Sequence, residues 1–418
     1  MLKTRIAAML GVSALAVAPF AAPGLVATAT AASHAECGFT TERELSSLSA
    51  AFEAWKVVTE AMSACAPNYT AELDQEFKTK QVSAFEADPS LYAIGGVANA
   101  TLVPLLDGNL IRPLDDLIAE CGQGLQPNQL IKIDGQTMAI AFMVNAQHLM
   151  YREDILSDLG IEVPTTWSEV VDAAAKIQEA GVVDYPLGAT TKTGWNLGEE
   201  FINMYLGFGG ELTDAGNEPT INNEMGVKAL EQMKALVPYL DPEYLTHDST
   251  SVQQQFQQGQ IAMANLWASR AGAMDDEAES QVVGKVKMAS APIAMDGQGP
   301  ASTLWWDGFV IAKNIDDETA RDAFCLAMEG IKPSVIEANN DAAVWLADGF
   351  TPGDMAAGAA ATAQGGAPAY PASAATGLMH TAVGDNIADF LTGAESAEQA
   401  LADAEEAYRA AAKEQGLL

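Results

Sequence analysis

Short apolar runs that stop at glycine alternate with amphipathic stretches that open on a hydroxyl or amide residue. This alternation constrains the fold more than any other feature of the chain. Leu91-Tyr92-Ala93-Ile94-Gly95-Gly96 is one such run and reads as a buried parallel strand with a loop at its end. Tyr69 to Phe77, Ile261 to Asn265 and Leu304 to Ala312 read as further strands, and Met138 to Val144 with His148 to Tyr151 as a longer β-rich stretch. On the helical side, Thr41-x-x-Glu44 is a capping box followed by Leu45, Leu48, Phe52, Trp55, Val58 and Met62 at spacings of three or four. Trp55 on that stripe is expected in a core. Thr166-x-x-Glu169 opens a helix that closes near Gly181, and Asn223 opens one through Leu236. Ser251 to Gln258 and Glu318 to Glu329 are helical, and Ser396-x-x-Gln399 caps a final helix to about Lys413. Gly353 to Gly377, rich in Ala, Gly and Pro, reads as an irregular surface excursion. Strands alternating with helices predict an α/β architecture with largely parallel sheets.

The chain has 418 residues, enough for two or three domains, and its hydrophobic share of 49% excludes wholesale disorder. Its long apolar run is at the N-terminus. Lys3 and Arg5 precede Ile6 to Phe20, and small residues lead to Ser33-His34-Ala35, so residues 1–35 read as a cleaved export signal. The run is interrupted by Gly11, Ser13, Pro19 and Pro23, which argues against a membrane anchor. Glu36 before Cys37 argues against a lipidated cysteine. Lys plus Arg is 21 and Asp plus Glu 56, so a nucleic-acid partner is excluded by repulsion from phosphate.

All four cysteines, Cys37, Cys65, Cys121 and Cys325, lie beyond the signal. An exported compartment permits disulfides, and four cysteines allow three full pairings among which the sequence does not choose. Cys37 with Cys65 has a geometric case: a short strand after Cys37 and a helix running back to end at Cys65 would meet at one end of a βα unit. The three histidines beyond the signal, His148, His247 and His380, are far apart, and H-E-x-x-H, G-x-S-x-G and the phosphate-loop pattern are absent. No metal and no cofactor are expected. Gly207-Phe208-Gly209-Gly210 lacks the dinucleotide spacing and is expected to end the helix before it. Among so many acids, Glu199-Glu200 and Asp275-Asp276 are expected to be solvated surface.

Tryptophan carries the functional signal. Trp195 sits in the polar turn Lys192-Thr193-Gly194-Trp195-Asn196, and Trp267 follows a strand with Arg270 close behind. Trp305 and Trp306 lie on opposite faces of a strand beside Asp307. An indole face suits the C–H face of a sugar ring, while Asp, Asn and Arg can hold its hydroxyls. The plainer reading is that tryptophan is simply large and half-buried; four at element ends favour a site.

Four stretches occur in order along the chain: Gly108-Asn109-Leu110-Ile111-Arg112-Pro113-Leu114-Asp115-Asp116; Asp134-Gly135-Gln136-Thr137-Met138-Ala139-Ile140 with Val144-Asn145; Tyr151 to Asp154 with Leu159-Gly160-Ile161 and Pro164-Thr165-Thr166-Trp167, the most specific; and Gly259-Gln260-Ile261-Ala262-Met263. By these, from Glu42 onward, the chain resembles the family-1, carbohydrate-type extracellular solute-binding proteins of ABC transporters. The first strand departs from the pattern in being short, around Gly38 to Thr40. The resemblance implies a two-lobe periplasmic binding protein fold, each lobe a mostly parallel sheet flanked by helices, with the ligand cleft between lobes. It places 36–144 and 292–338 in one lobe and 145–291 and 339–418 in the other, with crossings near Val144, Pro292 and Asn339. It implies a periplasmic monomer that captures a sugar and delivers it to transmembrane permease subunits, and it is not an enzyme. By position, Trp195, Trp267 and Asn145 match cleft-lining sites, Asn99 follows the first-lobe glycine loop, and Trp306 and Asp307 lie where that lobe re-enters the cleft. Arg270 is added on local chemistry, because a guanidinium can fork two adjacent hydroxyls. His380 falls where a contact is frequent but a structural role is open, and Trp167 is expected to pack. The alternatives are a binder of a non-sugar solute such as a polyamine, which would favour an acidic cleft, and an exported glycan-active enzyme, which needs two carboxylates across a cleft.

Overall fold

The computed structural model describes residues 36–133 and 135–418. The expected export signal and Asp134 lie outside the described residues. Eleven strands are present among them: β1 (Leu45–Ser49), β2 (Tyr69–Leu73), β3 (Ile94–Ala98), β4 (Leu130–Ile133), β5 (Gln136–Asn145), β6 (Gln147–Arg152), β7 (Tyr185–Gly188), β8 (Ile261–Trp267), β9 (Val286–Ala289), β10 (Trp305–Ile311) and β11 (Val344–Trp345). They form two sheets. The first runs β11-β5-β10-β3-β1-β2 with β4 added on β5, and the second runs β7-β8-β6-β9. β1 is parallel to β2 and β3, and β10 is antiparallel between β3 and β5, so β1, β2, β3 and β5 share one direction. In the second sheet β7, β8 and β9 share a direction and β6 opposes them.

The signalled helices form where their caps place them. Trp167–Ala180 carries the reciprocal Thr166–Glu169 capping box and ends on Gly181 in the left-handed region at φ 62°. Glu224–Leu236 is capped by Asn223 and Ala397–Glu414 by Ser396. Gly207 ends the Trp195–Gly207 helix.

The start of the chain differs from expectation. Leu45–Ser49 is a strand, not the first turn of a helix, and the helix begins at Glu53. β1 is paired on both edges and buried on both faces, so its residues show no period-two alternation. Its leucines, followed by a turn and then a true helix, reproduce a helical spacing by coincidence. Thr41 does not cap; its hydroxyl donates to Asp322 at 2.8 Å. Gly38 to Thr40 is not a strand. Phe77, expected to end a strand, instead opens the helix Phe77–Glu86.

The Glu53–Cys65 helix buries Trp55, which meets Phe142 of β5 edge-to-face at 4.9 Å. Glycine is required beneath it: a Cβ on Gly96 would lie 2.4 Å from that of Ser49 and 2.7 Å from the Trp55 ring. Cys65, at the end of this helix, is bonded to Cys37, and Cys121 to Cys325.

The chain leaves the first sheet at Ala146, between β5 and β6. The two later crossings differ from the expected boundaries. Residues 292–303 stay with the second lobe, where Ile293 bridges to Thr166 and the Ser302 hydroxyl donates to the Gln147 carbonyl at 2.8 Å. The return comes at Trp305. Residues 339–345, expected in the second lobe, carry β11, which pairs with β5 and packs Trp345 near Phe142. A two-residue strand has no period to read. The Gly353–Gly377 segment is not simply irregular surface. It contains the helix Ala357–Gln364, with Gly358, Ala359 and Thr362 buried. The Thr362 hydroxyl accepts from the Ala291 amide at 2.9 Å, and its small residues serve close packing. Among the described residues, no helix is long and apolar enough to cross a membrane.

Candidate functional site

The crossing Asn145-Ala146-Gln147 fixes the centre of the site. Asn145 pairs with Trp305, the first residue of β10, and Gln147 pairs with Trp267, the last residue of β8. Two tryptophans from two sheets are thereby brought to facing strand ends, where ligands of α/β folds sit. The third, Trp195, starts the helix Trp195–Gly207. That helix lies tight against Ala374–Asn386, since a Cβ on Gly198 would come 2.5 Å from the His380 carbonyl oxygen.

The three rings form one cluster. Trp195 lies 6.3 Å from Trp267, near parallel, and 5.6 Å from Trp305, edge-on. Trp267 and Trp305 are perpendicular at 5.9 Å. They wall a cavity of about 350 Å³ together with Asn145, Ser269, Arg270, Asp307, Lys192 and the segment Gln75 to Thr79. The lobes touch across its mouth. Lys78 holds its ammonium 3.4 Å from the centre of the Trp195 ring, Lys192 lies 3.8 Å from Glu76, and Gln75 donates to Thr250 at 3.3 Å.

Behind the rings is a polar scaffold. His380 stacks on Trp195 at 4.9 Å, its Nε2 is 2.7 Å from the Trp195 carbonyl, and its Nδ1 is 2.8 Å from the Tyr370 hydroxyl. A carbonyl only accepts, so Nε2 carries the proton and Nδ1 accepts from Tyr370. Burial drives His380 down to about 3, keeping it neutral. The Trp305 indole donates to Glu199 Oε1 at 2.9 Å. Gln147 donates to Glu200 at 2.7 Å and accepts from Asn203 at 2.8 Å and Asn265 at 3.2 Å.

Glu199 and Glu200 are therefore not the solvated surface expected of them. They are 1% and 7% exposed, because the helix that carries them is buried on every side from Leu197 to Tyr205. Burial raises Glu199 to about 8 and Glu200 to about 7. Glu199 Oε2 lies 3.9 Å from His380 Nδ1, yet with one group protonated and the other neutral this is no ion pair. Glu199 thus sets a carboxyl beside Trp305, although it lies behind the rings and does not line the cavity.

Of the residues singled out from sequence, Trp195, Trp267, Trp305, Asp307, Asn145 and Arg270 line the cavity. Asn99 and Trp306 do not. Asn99 is buried at the start of the helix Asn99–Asp107, donates to the Leu304 carbonyl at 3.3 Å and accepts from the Trp306 amide at 2.9 Å, so it clasps the start of β10. Trp306 lies on the other face of β10, packed against the Phe85, Val97 and Leu102 cluster. Trp267 is 7% exposed because its neighbours cover it. Trp167 is buried, as a packing residue should be. Lys78 was missed because its segment read as the end of a strand. Asn145 is held by Ser269, whose amide donates to Oδ1 and whose hydroxyl accepts from Nδ2, both at 3.2 Å.

The family pattern described as bacterial extracellular solute-binding protein matches residues 69–329. The chain belongs to this family. Among curated relatives, this solute-binding protein is 27% identical over 200 residues to a probable ABC transporter-binding protein of Deinococcus radiodurans, covering 46% of each chain. It is 25% identical over 200 residues to a mannitol-binding protein of Pseudomonas aeruginosa, covering 46% of this chain and 44% of that one. These matches span less than half of the relatives' length. Among solved structures, the fold matches an ABC transporter solute-binding protein of Agrobacterium radiobacter in complex with ribitol, at TM-score 0.74 and 23% identity, over 89% of this chain and 99% of that one. It matches one of Agrobacterium vitis with bound D-mannitol at TM-score 0.74 and 20% identity, with the same coverage.

Proposed function

We propose that this protein is the periplasmic substrate-binding component of an ABC importer. It works as a monomer whose two lobes close on a sugar or polyol and present it to the membrane permease. The observation that carries the reading is the convergence of Trp195, Trp267 and Trp305 on one cavity also walled by Asn145, Asp307 and Arg270. Flat indole faces accept the C–H side of a polyhydroxylated chain or ring, and the polar groups accept and donate to its hydroxyls. The mannitol-binding name of one relative and two disulfides, which suit an oxidising compartment, support it. A polyamine fits less well: Glu76 and Asp248 are engaged by Lys192, and Asp307 is pushed up to about 7 by burial, against the pull of Lys78. A thermal-shift panel of sugars, polyols, amino acids and polyamines tests it. A ligand at a hundredfold excess over Kd adds about 2.7 kcal/mol, which is a rise of roughly 5–10 °C for lobes of this size. A shift with amino acids or polyamines alone refutes the sugar reading.

A further inference from the structure

The cleft is far less acidic than the chain. Acids outnumber bases 56 to 21, yet the cavity wall sets Lys78, Lys192 and Arg270 against Glu76, Asp248 and Asp307. Lys192 is shared between Glu76 at 3.8 Å and Asp248 at 3.6 Å. Neither Lys78 nor Arg270 has a carboxylate within ion-pair distance among the described residues. The Lys78 ammonium sits over the Trp195 ring. Arg270 donates from Nη1 to the amide oxygen of Gln253 at 3.2 Å. A guanidinium has five N–H donors in a fork that matches a carboxylate.

Both cations are held where desolvation disfavours charge. Burial lowers Lys78 to about 8 and Arg270 to about 10. Glu199, Asp307 and Glu76 attract Lys78 and Asp248 attracts Arg270, but among the described residues none of them pairs with these cations, and Asp307 is itself pushed up to about 7. A desolvated cation without a counter-charge is stabilised by whatever anion enters beside it. Position then decides which part of a ligand carries that anion. Arg270 lies where the tryptophan cavity joins a second groove of about 600 Å³ that shares Phe52, Ser269 and Arg270 with it and is lined beyond the guanidinium by Glu53, Asp276, Glu279 and Asp341, with Lys56, so an anion is held back at Arg270. A molecule lying against the indoles would end at the guanidinium.

We infer that the ligand is a polyhydroxylated carboxylate, an aldonate or uronate, with its hydroxylated carbons among Trp195, Trp267 and Trp305 and its carboxylate on Arg270, Lys78 adding the second positive charge. This rests on the proposed sugar reading and narrows it. A polyamine would meet two uncompensated cations here, whereas a neutral sugar would leave them uncompensated.

Titration calorimetry of the mature chain tests it, with D-gluconate and D-glucuronate set against their neutral parents, sorbitol and D-glucose. The acid form should bind at least about tenfold more tightly than its parent. That preference should fall several-fold on raising the salt concentration and should shrink by about tenfold in Arg270→Gln and in Lys78→Gln. Lys78 is half-buried on a surface helix, so its variant keeps the test open if Arg270→Gln does not fold. Neutral parents that bind as tightly as the acids overturn the inference and leave the sugar reading standing. A preference unchanged in both variants overturns the assigned charges. Failure of every sugar, polyol and sugar acid to bind overturns both.

Discussion

Replacing Glu199 with glutamine should remove a pH dependence that the wild-type protein carries. Glu199 is 1% exposed and its carboxyl is raised from 4.5 to about 8, chiefly by burial. A raised carboxyl means that the folded state holds a proton the unfolded chain has released. Below about pH 4.5 both states are protonated and the group contributes nothing; from there to about 8 the stability it leaves falls steadily as pH rises. His148 and His380, lowered to about 4 and about 3, act in the opposite sense, because the unfolded chain takes up their protons below 6.5. Glu200 acts in the same sense as Glu199. These three groups are present in both proteins, as are Asp307 and Lys78 at about 7 and about 8, so the difference between wild type and Glu199→Gln reports Glu199 together with its pull on Lys78. The amide keeps an oxygen for the Trp305 indole and does not titrate. At 1.36 kcal/mol per unit, integration from about pH 6 to about pH 9 gives roughly 2–3 kcal/mol lost by wild type and not by the variant. For lobes of this size that is a relative shift of about 5–10 °C. Thermal melts of both proteins, followed by tryptophan fluorescence across that range, read it directly. If the two melting curves fall in parallel with pH, Glu199 is already ionised in the fold and the reasoning fails.

Trp55→Ala should cost roughly 3–5 kcal/mol in a denaturant titration, because the indole is buried against Phe142 and does not line the cavity; retained stability would place it outside the core. Trp267→Ala should weaken ligand binding by at least about tenfold, read by calorimetry. It should also lower melting, since Trp267 packs on both Trp195 and Trp305; normal affinity in a folded variant would mean that the ring only packs. Small-angle scattering should show a larger radius of gyration without ligand than with it, as the Lys78–Trp195 and Lys192–Glu76 contacts part. An unchanged radius would mean a rigid pocket.

The legibility of the fold follows from where each signal resides. Thr166, Asn223 and Ser396 announced their helices because a cap is a local event, settled within four residues. β1 was misread because its pattern is set by neighbours on both sides, and Leu45, Leu48 and Phe52 mimic a helical period. β11 is too short to carry any pattern. At the site, tryptophans at element ends were visible as such, and the period of two correctly separated Trp305 from Trp306, although not which of them faces the cavity. Glu199 was hidden by the abundance of acids. Only the spacing Trp195-x-x-x-Glu199 on one helix links it to the tryptophans, and no local pattern shows that the helix is buried on every side. Lys78 and its position over Trp195 depend on the approach of two lobes, which no local pattern encodes.

The most direct test of a sugar-binding cleft is native mass spectrometry of the protein purified from its own host. The account predicts a one-to-one adduct whose accurate mass is that of a polyhydroxylated solute, and its absence from Trp305→Ala prepared alongside. An adduct with the mass of an amino acid, peptide or polyamine, retained in Trp305→Ala, would contradict it.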